Sequence, residues 1–532
     1  MTRTHSGASG FDAMGMTQAL RAASANTPQK VATRYADRVQ TWAELRQSVE
    51  RLAGALQGYG LRSGDRAAIL ALNSDRYSEF LFAAWWAGGV VVPMNVRWSA
   101  AENAYSLNDA GAEILFIDQA FAPMLPAFRE TVPNLKHVIY LDDGAPPAGA
   151  VSYSDLIAGS APIDDMRRAG EDLGGLYYTG GTTGFPKGVM VPQRALWFNS
   201  LVIPTLVPIE ADSVDLHAAP MFHMADSALS GAASAMGAEH VFIPSFTPAG
   251  VVEAIHRHNV THTVLVPTMI AMVLQDPSFD PDKLSTLEVV AYGGSPMPEG
   301  VMRDALTKLP NVKFFQAYGQ TELAPMATYL PASYHKLDGP KSTKLRSAGR
   351  AVPGVEIRVV DDNGADVADG QVGEIAVAGP GVMHGYWNKP EQTDVALRDG
   401  WVFTGDGGYK DEDGFFFIVD RLKDMIVTGG ENVFSVEVES AISTHPAVAQ
   451  VAVIGIPAEK WGEAVHAIVV PRDGHVVTEA EIIDHCRQNI ANYKLPRSVD
   501  FRSDPMPLSG AGKILKRDLR APYWEGADRN VN

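Results

Sequence analysis

The sequence predicts an α/β protein: a large N-terminal domain of mostly parallel α/β subdomains with a β-barrel-like subdomain, followed by a small α+β C-terminal domain. Three observations carry this. Apolar strand-like runs alternate with amphipathic helical stretches up to about residue 350; beyond it short β runs are separated by Asp, Asn and Gly turns; after Val433 helix and strand return on a smaller scale.

The elements follow in order. Thr41 and Glu44 form a capping box ahead of Trp42, Leu45, Val49, Leu52 and Leu56 at helical spacing, and Gly58 and Gly60 end the run. "RAAILAL" (66–72) reads as a buried strand, "SDRYSEFLFAAWWAGG" (74–89) as a helix and "VVVPMN" (90–95) as the next strand. The rhythm returns at "ILFID" (114–118), "HVIYLD" (137–142), "THTVLVP" (261–267) and "LEVVAYGG" (287–294). The texture of "VEIRVVDDNGADVADGQVGEIAVAG" suits an antiparallel or barrel-like unit. A boundary falls near Arg421 to Lys423, so the expected domains are 1–422 and 423–532, and a second capping box, Thr478 with Glu481, opens a helix in the smaller one.

Composition narrows the function. The chain has 532 residues, 46% hydrophobic and 20% charged, with 44 Lys and Arg against 62 Asp and Glu and a net charge of −18. Such a balance repels nucleic acid and anionic membranes and points to a small-molecule ligand. The single cysteine, Cys486, excludes internal disulfides and a cysteine-rich metal site. No run has the length of a bilayer span and the N-terminal stretch lacks the apolar core of a signal peptide, so a reducing cytoplasm is the expected compartment.

"YYTGGTTGFPKGV" (177–189) concentrates glycine, threonine and one lysine where no core can form. Glycines let backbone N–H groups approach a ligand, Thr hydroxyls donate to phosphate oxygens and Lys187 supplies a charge. The spacing is not that of a Walker A loop, because Lys187 follows Pro186 and precedes Gly188. "FFQAYGQTEL" (314–323) sets Tyr318, Thr321 and Glu322 around Gly319, offering an aromatic for a base, a hydroxyl for phosphate and a carboxylate for Mg²⁺; "GWVFTGDGGY" (400–409) places Asp406 in a glycine turn. Taken alone, the first of these is a weak signal and the second reads as a plain Asx-turn.

These segments in this order, with "TWAEL", "VVPMN", "DRLKDMIVTGGENV", "WGEAV" and "PLSGAGKILKRDL", resemble the adenylate-forming superfamily of acyl-CoA synthetases, peptide-synthetase adenylation domains and luciferase. The resemblance implies an ATP-dependent ligase that converts a carboxylate to an acyl-adenylate with release of pyrophosphate, then passes the acyl group to coenzyme A, with Mg²⁺ as cofactor. It makes Thr179, Gly180, Gly181, Thr182, Thr183, Gly184 and Lys187 the loop for the β and γ phosphates, with Gly180 standing where serine is usual. It assigns Thr321 to the α-phosphate, Glu322 to Mg²⁺ as an exposed cleft carboxylate, Gly293, Gly294, Ser295, Tyr318 and Gly319 to the adenine side, and Asp406 and Arg421 to the ribose. Lys513 would bridge the carboxylate and α-phosphate during adenylation, although alone it reads as a solvated lysine. Lys423 would be the hinge of a mobile C-terminal domain. Gly429, Gly430, Glu431 and Trp461 would meet coenzyme A, and His223 would gate the acyl site.

The small residues after His223, from Ala225 through Gly231 and Ala232 to Ala235, suggest room for an extended acyl chain, with Asp226 facing either the pocket or solvent. A medium- to long-chain fatty acid is therefore expected. A short, thioether or aryl acid, loading of a carrier protein, luciferase-type oxidation and a non-catalytic nucleotide sensor remain open, the last disfavoured by Lys513, Glu322 and Arg421 occurring together. The expected partners are the acid, ATP and coenzyme A, with no nucleic acid, and a homodimer is an open expectation.

Overall fold

A computed structural model describes residues 15–180, 186–421, 424–458, 460–510 and 512–525. Gly181, Thr182, Thr183, Gly184 and Lys423 lie outside the described residues.

The apolar runs become the inner strands of two large sheets. In the eight-stranded sheet, Arg66–Leu70, Val90–Pro93, Ile114–Ile117, His137–Tyr140 and Leu173–Thr179 run parallel, with Lys187–Pro192 turning back against the last of them. In the nine-stranded sheet, Val31–Tyr35, Glu239–Phe242, Val214–His217, His262–Val264, Val289–Gly293 and Lys313–Gly319 are parallel and the remaining strands antiparallel. Helices cover the faces, so strands such as Val90–Pro93 and Ile114–Ile117 are apolar along their whole length instead of alternating. Trp42–Gly58 is capped at Thr41, which accepts from the Glu44 N–H while the Glu44 carboxylate accepts from the Thr41 N–H; its Trp42, Leu45, Val49, Leu52 and Leu56 are all buried.

The turn-rich region is an antiparallel five-stranded sheet containing Glu356–Val360, Gly373–Ala378, Trp401–Lys410 and Phe416–Arg421. Beyond it a small C-terminal domain builds a second five-stranded sheet around the long hairpin Val448–Ala458 and Gly462–Pro471, with helices Ser435–Ser443, Glu479–Arg487 and Lys516–Trp524. Its own core includes Ile426, Val438, Ile442, Val453, Val465 and Ile482.

The small domain is docked against the large one through specific bonds. Asp420, on the last strand of the large region, accepts from the Ser435 N–H (2.7 Å) and Ser435 Oγ (2.5 Å) at the start of the Ser435–Ser443 helix. Within the small domain, Lys516 Nζ pairs with Glu439 at 2.7 Å and so ties the last helix to this one. At the far end Thr268 Oγ1 donates to the Gly512 carbonyl (2.7 Å), which brings Leu508, Ser509, Gly510 and Lys513 over the C-terminal ends of the parallel strands, where open α/β sheets bind their ligands.

Candidate active site

A cleft of about 1450 Å³ opens at those strand ends and is lined from both domains. Its polar end is assembled by pairing. Asp406 and Arg421 face each other in register across two antiparallel strands and form an ion pair (Nε to Oδ1, 2.6 Å). Tyr318, from the end of Lys313–Gly319, donates its hydroxyl to the other Asp406 oxygen at 2.8 Å. One turn later Thr321 and Glu322 sit on the short helix Thr321–Leu323. Glu322 is buried, not the exposed carboxylate the sequence suggests, and accepts from the Tyr386 hydroxyl at 2.8 Å. The strand carrying Tyr386 pairs with the strand that starts at Lys187, and Lys187 Nζ stands 4.9 Å from the Tyr386 ring centroid.

Thr179, Gly180, Gly293, Gly294, Ser295 and Gly319 also line this end. Gly294 has φ +79°, and a Cβ there would come 3.2 Å from Lys513 Cε, so glycine both adopts the turn and leaves room for the lysine. A Cβ at Gly180 would meet no described residue within 4 Å, so none of them bars the serine that this position lacks.

Lys513 reaches in from the small domain. Its loop is closed on itself by the Ser509 N–H donating to the Lys513 carbonyl (2.7 Å) and the Lys513 N–H donating to Ser509 Oγ (3.1 Å). Burial, and then the nearby Arg421 charge, push the Lys513 ammonium down to about 8 against the opposing pull of Asp406 and Glu322. At neutral pH it is still mainly a cation, poised among groups suited to phosphate. His223 is half-buried and N-caps the helix Met224–Met236, its Nδ1 accepting from the Ala225 N–H at 3.2 Å. Burial and the Lys513 charge push it down to about 3, so it is neutral.

The other end of the cleft is apolar. Ile203, Leu206, Leu229, Val264, Phe315 and Tyr329 form walls there, with Ala225 and Ala228 on the Met224–Met236 helix. Two sequence expectations need correction. A Cβ at Gly231 would lie 2.4 Å from Ser200 Oγ, so Gly231 lets two helices pack closely and does not border the pouch; Ala232 is fully buried beside it in the core. Asp226 faces neither pocket nor solvent: it is buried and bonded to His217 Nδ1 at 2.9 Å. A small-residue helix signals close packing on several sides, and of its small residues Ala225 and Ala228, beside Leu229, face the cleft.

Gly429, Gly430, Glu431 and Trp461 are together elsewhere, on an exposed corner of the small domain outside the cleft. The Gly429 N–H donates to the Trp461 carbonyl (2.9 Å), and a Cβ at Gly429 (φ +62°) would strike the Trp461 ring at 2.8 Å. Trp461 is 42% exposed.

Sequence reading missed Tyr386, Tyr329, Thr268 and Asp420. Tyr386 lies in "MHGYWNKP", which carries no phosphate or metal signature; only its pairing with the Lys187 strand reveals it.

This fold, with a cationic loop from a small domain entering a cleft between a carboxylate-rich end and an apolar pouch, defines a ligase that joins two unlike substrates. The chain matches the AMP-binding enzyme family over residues 20–387 and the AMP-binding enzyme C-terminal domain over 437–513, and it belongs to that family. It is an ATP-dependent, AMP-forming acid–thiol ligase of the acyl-CoA synthetase class. It is 36% identical to an indoleacetate–CoA ligase of Aromatoleum aromaticum over 93% of this chain and 95% of that one. It is also 36% identical to the medium/long-chain-fatty-acid–CoA ligase FadD8 of Mycobacterium tuberculosis, covering 92% and 87% respectively. The crystal structure of ATP-bound MatB from Rhodopseudomonas palustris superposes with a TM-score of 0.86 at 31% identity, covering 97% of this chain and all of that one. No helix among the described residues is long and apolar enough to cross a membrane.

Proposed function

We propose that the protein activates a medium- to long-chain fatty acid and transfers it to coenzyme A in the cytoplasm. The apolar pouch beside Lys513 is the observation that carries this reading, because no charged side chain stands among the wall residues Ile203, Leu206, Leu229, Val264, Phe315 and Tyr329. An acyl chain transferred from water into such a lining is favoured by about 0.8 kcal/mol per methylene.

In this reading the acid enters tail first and leaves its carboxylate near His223 and Lys513. His223, neutral and held by its cap, separates the pouch from the nucleotide end without adding charge. Lys513 lies where carboxylate and α-phosphate oxygens meet, and its cation offsets the repulsion between two anions as the acyl–phosphate bond forms and pyrophosphate leaves. Asp406 accepts from the ribose hydroxyls while Arg421 and Tyr318 fix its orientation. Thr321 donates to the α-phosphate, and Thr179 to Lys187 hold the outer phosphates.

Glu322 fits a role toward Mg²⁺. Tyr386 bonds one of its oxygens, no described residue hydrogen-bonds the other, and Mg²⁺ is commonly held by one or two carboxylates with substrate phosphates. When bound, the ion would neutralise phosphate charge.

The second half-reaction needs a thiol at the acyl carbonyl, and the Gly429 to Glu431 turn with Trp461 is the proposed surface for coenzyme A, brought to the cleft by a turn of the 423–532 domain about Lys423. Trp461→Ala is the variant of choice, because Gly430 has φ +86° and any larger residue would strain its turn. It is expected to slow thioester formation from synthetic acyl-adenylate while leaving pyrophosphate release intact; equal loss in both half-reactions would remove Trp461 from the coenzyme A surface.

An aryl acid is the second reading. The Tyr329 phenol lines the pouch with no hydrogen-bond partner among the described residues and could meet a ring substituent, and the indoleacetate ligase shows that a relative of similar identity is named for an aromatic acid. Pyrophosphate release measured over acids from acetate to palmitate, with aryl and thioether acids, decides: the best turnover on long alkyl acids supports the first reading, and the best on aryl acids replaces it.

A further inference from the structure

The buried carboxylate Asp226 belongs to a chain of polar groups that the nucleotide chemistry does not use. Asp226 Oδ2 meets His217 Nδ1 at 2.9 Å, His217 Nε2 meets His240 Nδ1 at 2.9 Å, and His240 Nε2 meets Ser234 Oγ at 3.1 Å. None of the four is more than 5% exposed. The chain starts and finishes on one helix: Asp226 and Ser234 are two turns apart on Met224–Met236, while His217 and His240 come from the adjacent parallel strands Val214–His217 and Glu239–Phe242. It is therefore a staple that leaves the helix, crosses two strands of the sheet and returns.

Asp215 stands 3.9 Å from His217 Nε2, and its oxygen with His217 and His240 brings three donor atoms within 4.8 Å. Protons account for the spacing better than a metal ion. Two imidazoles on a tetrahedral zinc, at about 2.05 Å each, would hold their nitrogens about 3.3 Å apart. The observed 2.9 Å is that of a direct N–H···N bond. With Asp226 ionised, His217 Nδ1–H donates to its carboxylate, His240 Nδ1–H donates to His217 Nε2 and the Ser234 hydroxyl donates to His240 Nε2, so each link has one donor and one acceptor.

Next to this staple on the same helix, Ala225, Ala228 and Leu229 present their side chains to the apolar pouch. We propose that Asp226, His217, His240 and Ser234 are positioning residues for acid selection, pinning the helix so that its alanine stripe keeps a set distance from the opposite wall of the pouch. The proposal rests on the pouch being the acyl site. It explains why four polar side chains are buried behind a wall made of small residues: alanines grip nothing themselves, so the helix is held from its other side.

The test uses Asp226→Asn, Ser234→Ala and Ala228→Phe in the full chain, each assayed for kcat and for KM toward ATP and a graded series of alkyl and aryl acids, alongside metal content and melting temperature. Asp226→Asn is expected to raise KM for the preferred acid about tenfold, the usual scale for weakening a buried bond to a charged group, and to flatten the preference across the series. KM for ATP should hold, and Ser234→Ala should shift the profile in the same direction by less. A proportional loss on all acids with preference intact, or an unaltered profile in both variants, overturns the proposal. If Asp226→Asn fails to fold, Ser234→Ala, which removes one hydroxyl, carries the decision. A stoichiometric transition metal such as zinc in the purified protein would also overturn it. Ala228→Phe tests the pouch separately: if it leaves acid preference unchanged, the acyl-site reading fails; if it alters preference and the staple variants do not, only the staple is wrong.

Discussion

The two ends of the cleft are built by opposite means. At the nucleotide end a few charged and hydroxylated side chains are each fixed by a named partner: Asp406 by Arg421 and Tyr318, Glu322 by Tyr386, Lys513 by its closed loop. At the acyl end no wall side chain hydrogen-bonds another; Ile203, Leu229, Val264 and Phe315 come from separate elements and meet through apolar packing. Directional bonds tolerate little substitution, because a buried group left unpaired is expensive, whereas an apolar wall can be reshaped one methylene at a time. Chemistry is thus held at one end while substrate choice can drift at the other, which fits relatives of equal identity named for indoleacetate and for fatty acids.

The sharpest way to break this contrast is at Lys513. Lys513→Ala should reduce pyrophosphate release by about 10²- to 10³-fold, the scale for removing one transition-state donor, while synthetic acyl-adenylate and coenzyme A still give thioester. Equal loss in both assays would mean that the loop serves the whole reaction. The next effect is in pH. A lysine pushed down to about 8 is cationic below that value and loses its charge above it, so kcat/KM for ATP in adenylation should fall as pH rises through about 8, by roughly tenfold per unit once the neutral form dominates. Lys513→Arg should move that limb out of range, because guanidinium stays charged.

At the acyl end the effects are smaller and graded. Ala228→Phe should shift preference toward shorter acids, each excluded methylene counting about 0.8 kcal/mol, or roughly fourfold in kcat/KM. Gly180→Ser brings the contrast back to the nucleotide end with the smallest effect: no described residue bars the serine, which should fit and lower KM for ATP by the few-fold worth of one hydrogen bond, about 1 kcal/mol. An unchanged KM would show that the Thr179 to Lys187 loop does not need a hydroxyl at this position.

Legibility in the sequence follows the same division. The parallel sheets, the antiparallel region and both capping boxes were readable because strand runs, turn residues and caps are local. Tyr318, Thr321, Glu322, Asp406, Arg421 and Lys513 are singled out by the family resemblance of the stretches that carry them, not by residue type alone, and all six line one cleft. The acyl wall was not. Its side chains come from distant segments, and a stretch such as "MADSALSGAASAM" does not say which of its faces is packed; Gly231 and Asp226 were misread for that reason. Likewise nothing in the sequence links His217 to His240; only the pairing of their strands sets them side by side.

The seating of Leu508, Ser509, Gly510 and Lys513 bears on the timing of catalysis as well as its chemistry. Gly510 lies so close that a Cβ there would be 2.6 Å from Asn95 Oδ1 and 2.9 Å from Phe222, and the Gly512 carbonyl is tied to Thr268. The segment that delivers the cation is therefore also a stopper between the two ends of the cleft. On the proposed reading, in which the small domain turns between half-reactions, this seat has to be left once in every cycle. The Thr268 bond would then weigh on how long a bound acid waits beside the lysine, a matter of timing separate from how well the pouch or the phosphate site binds.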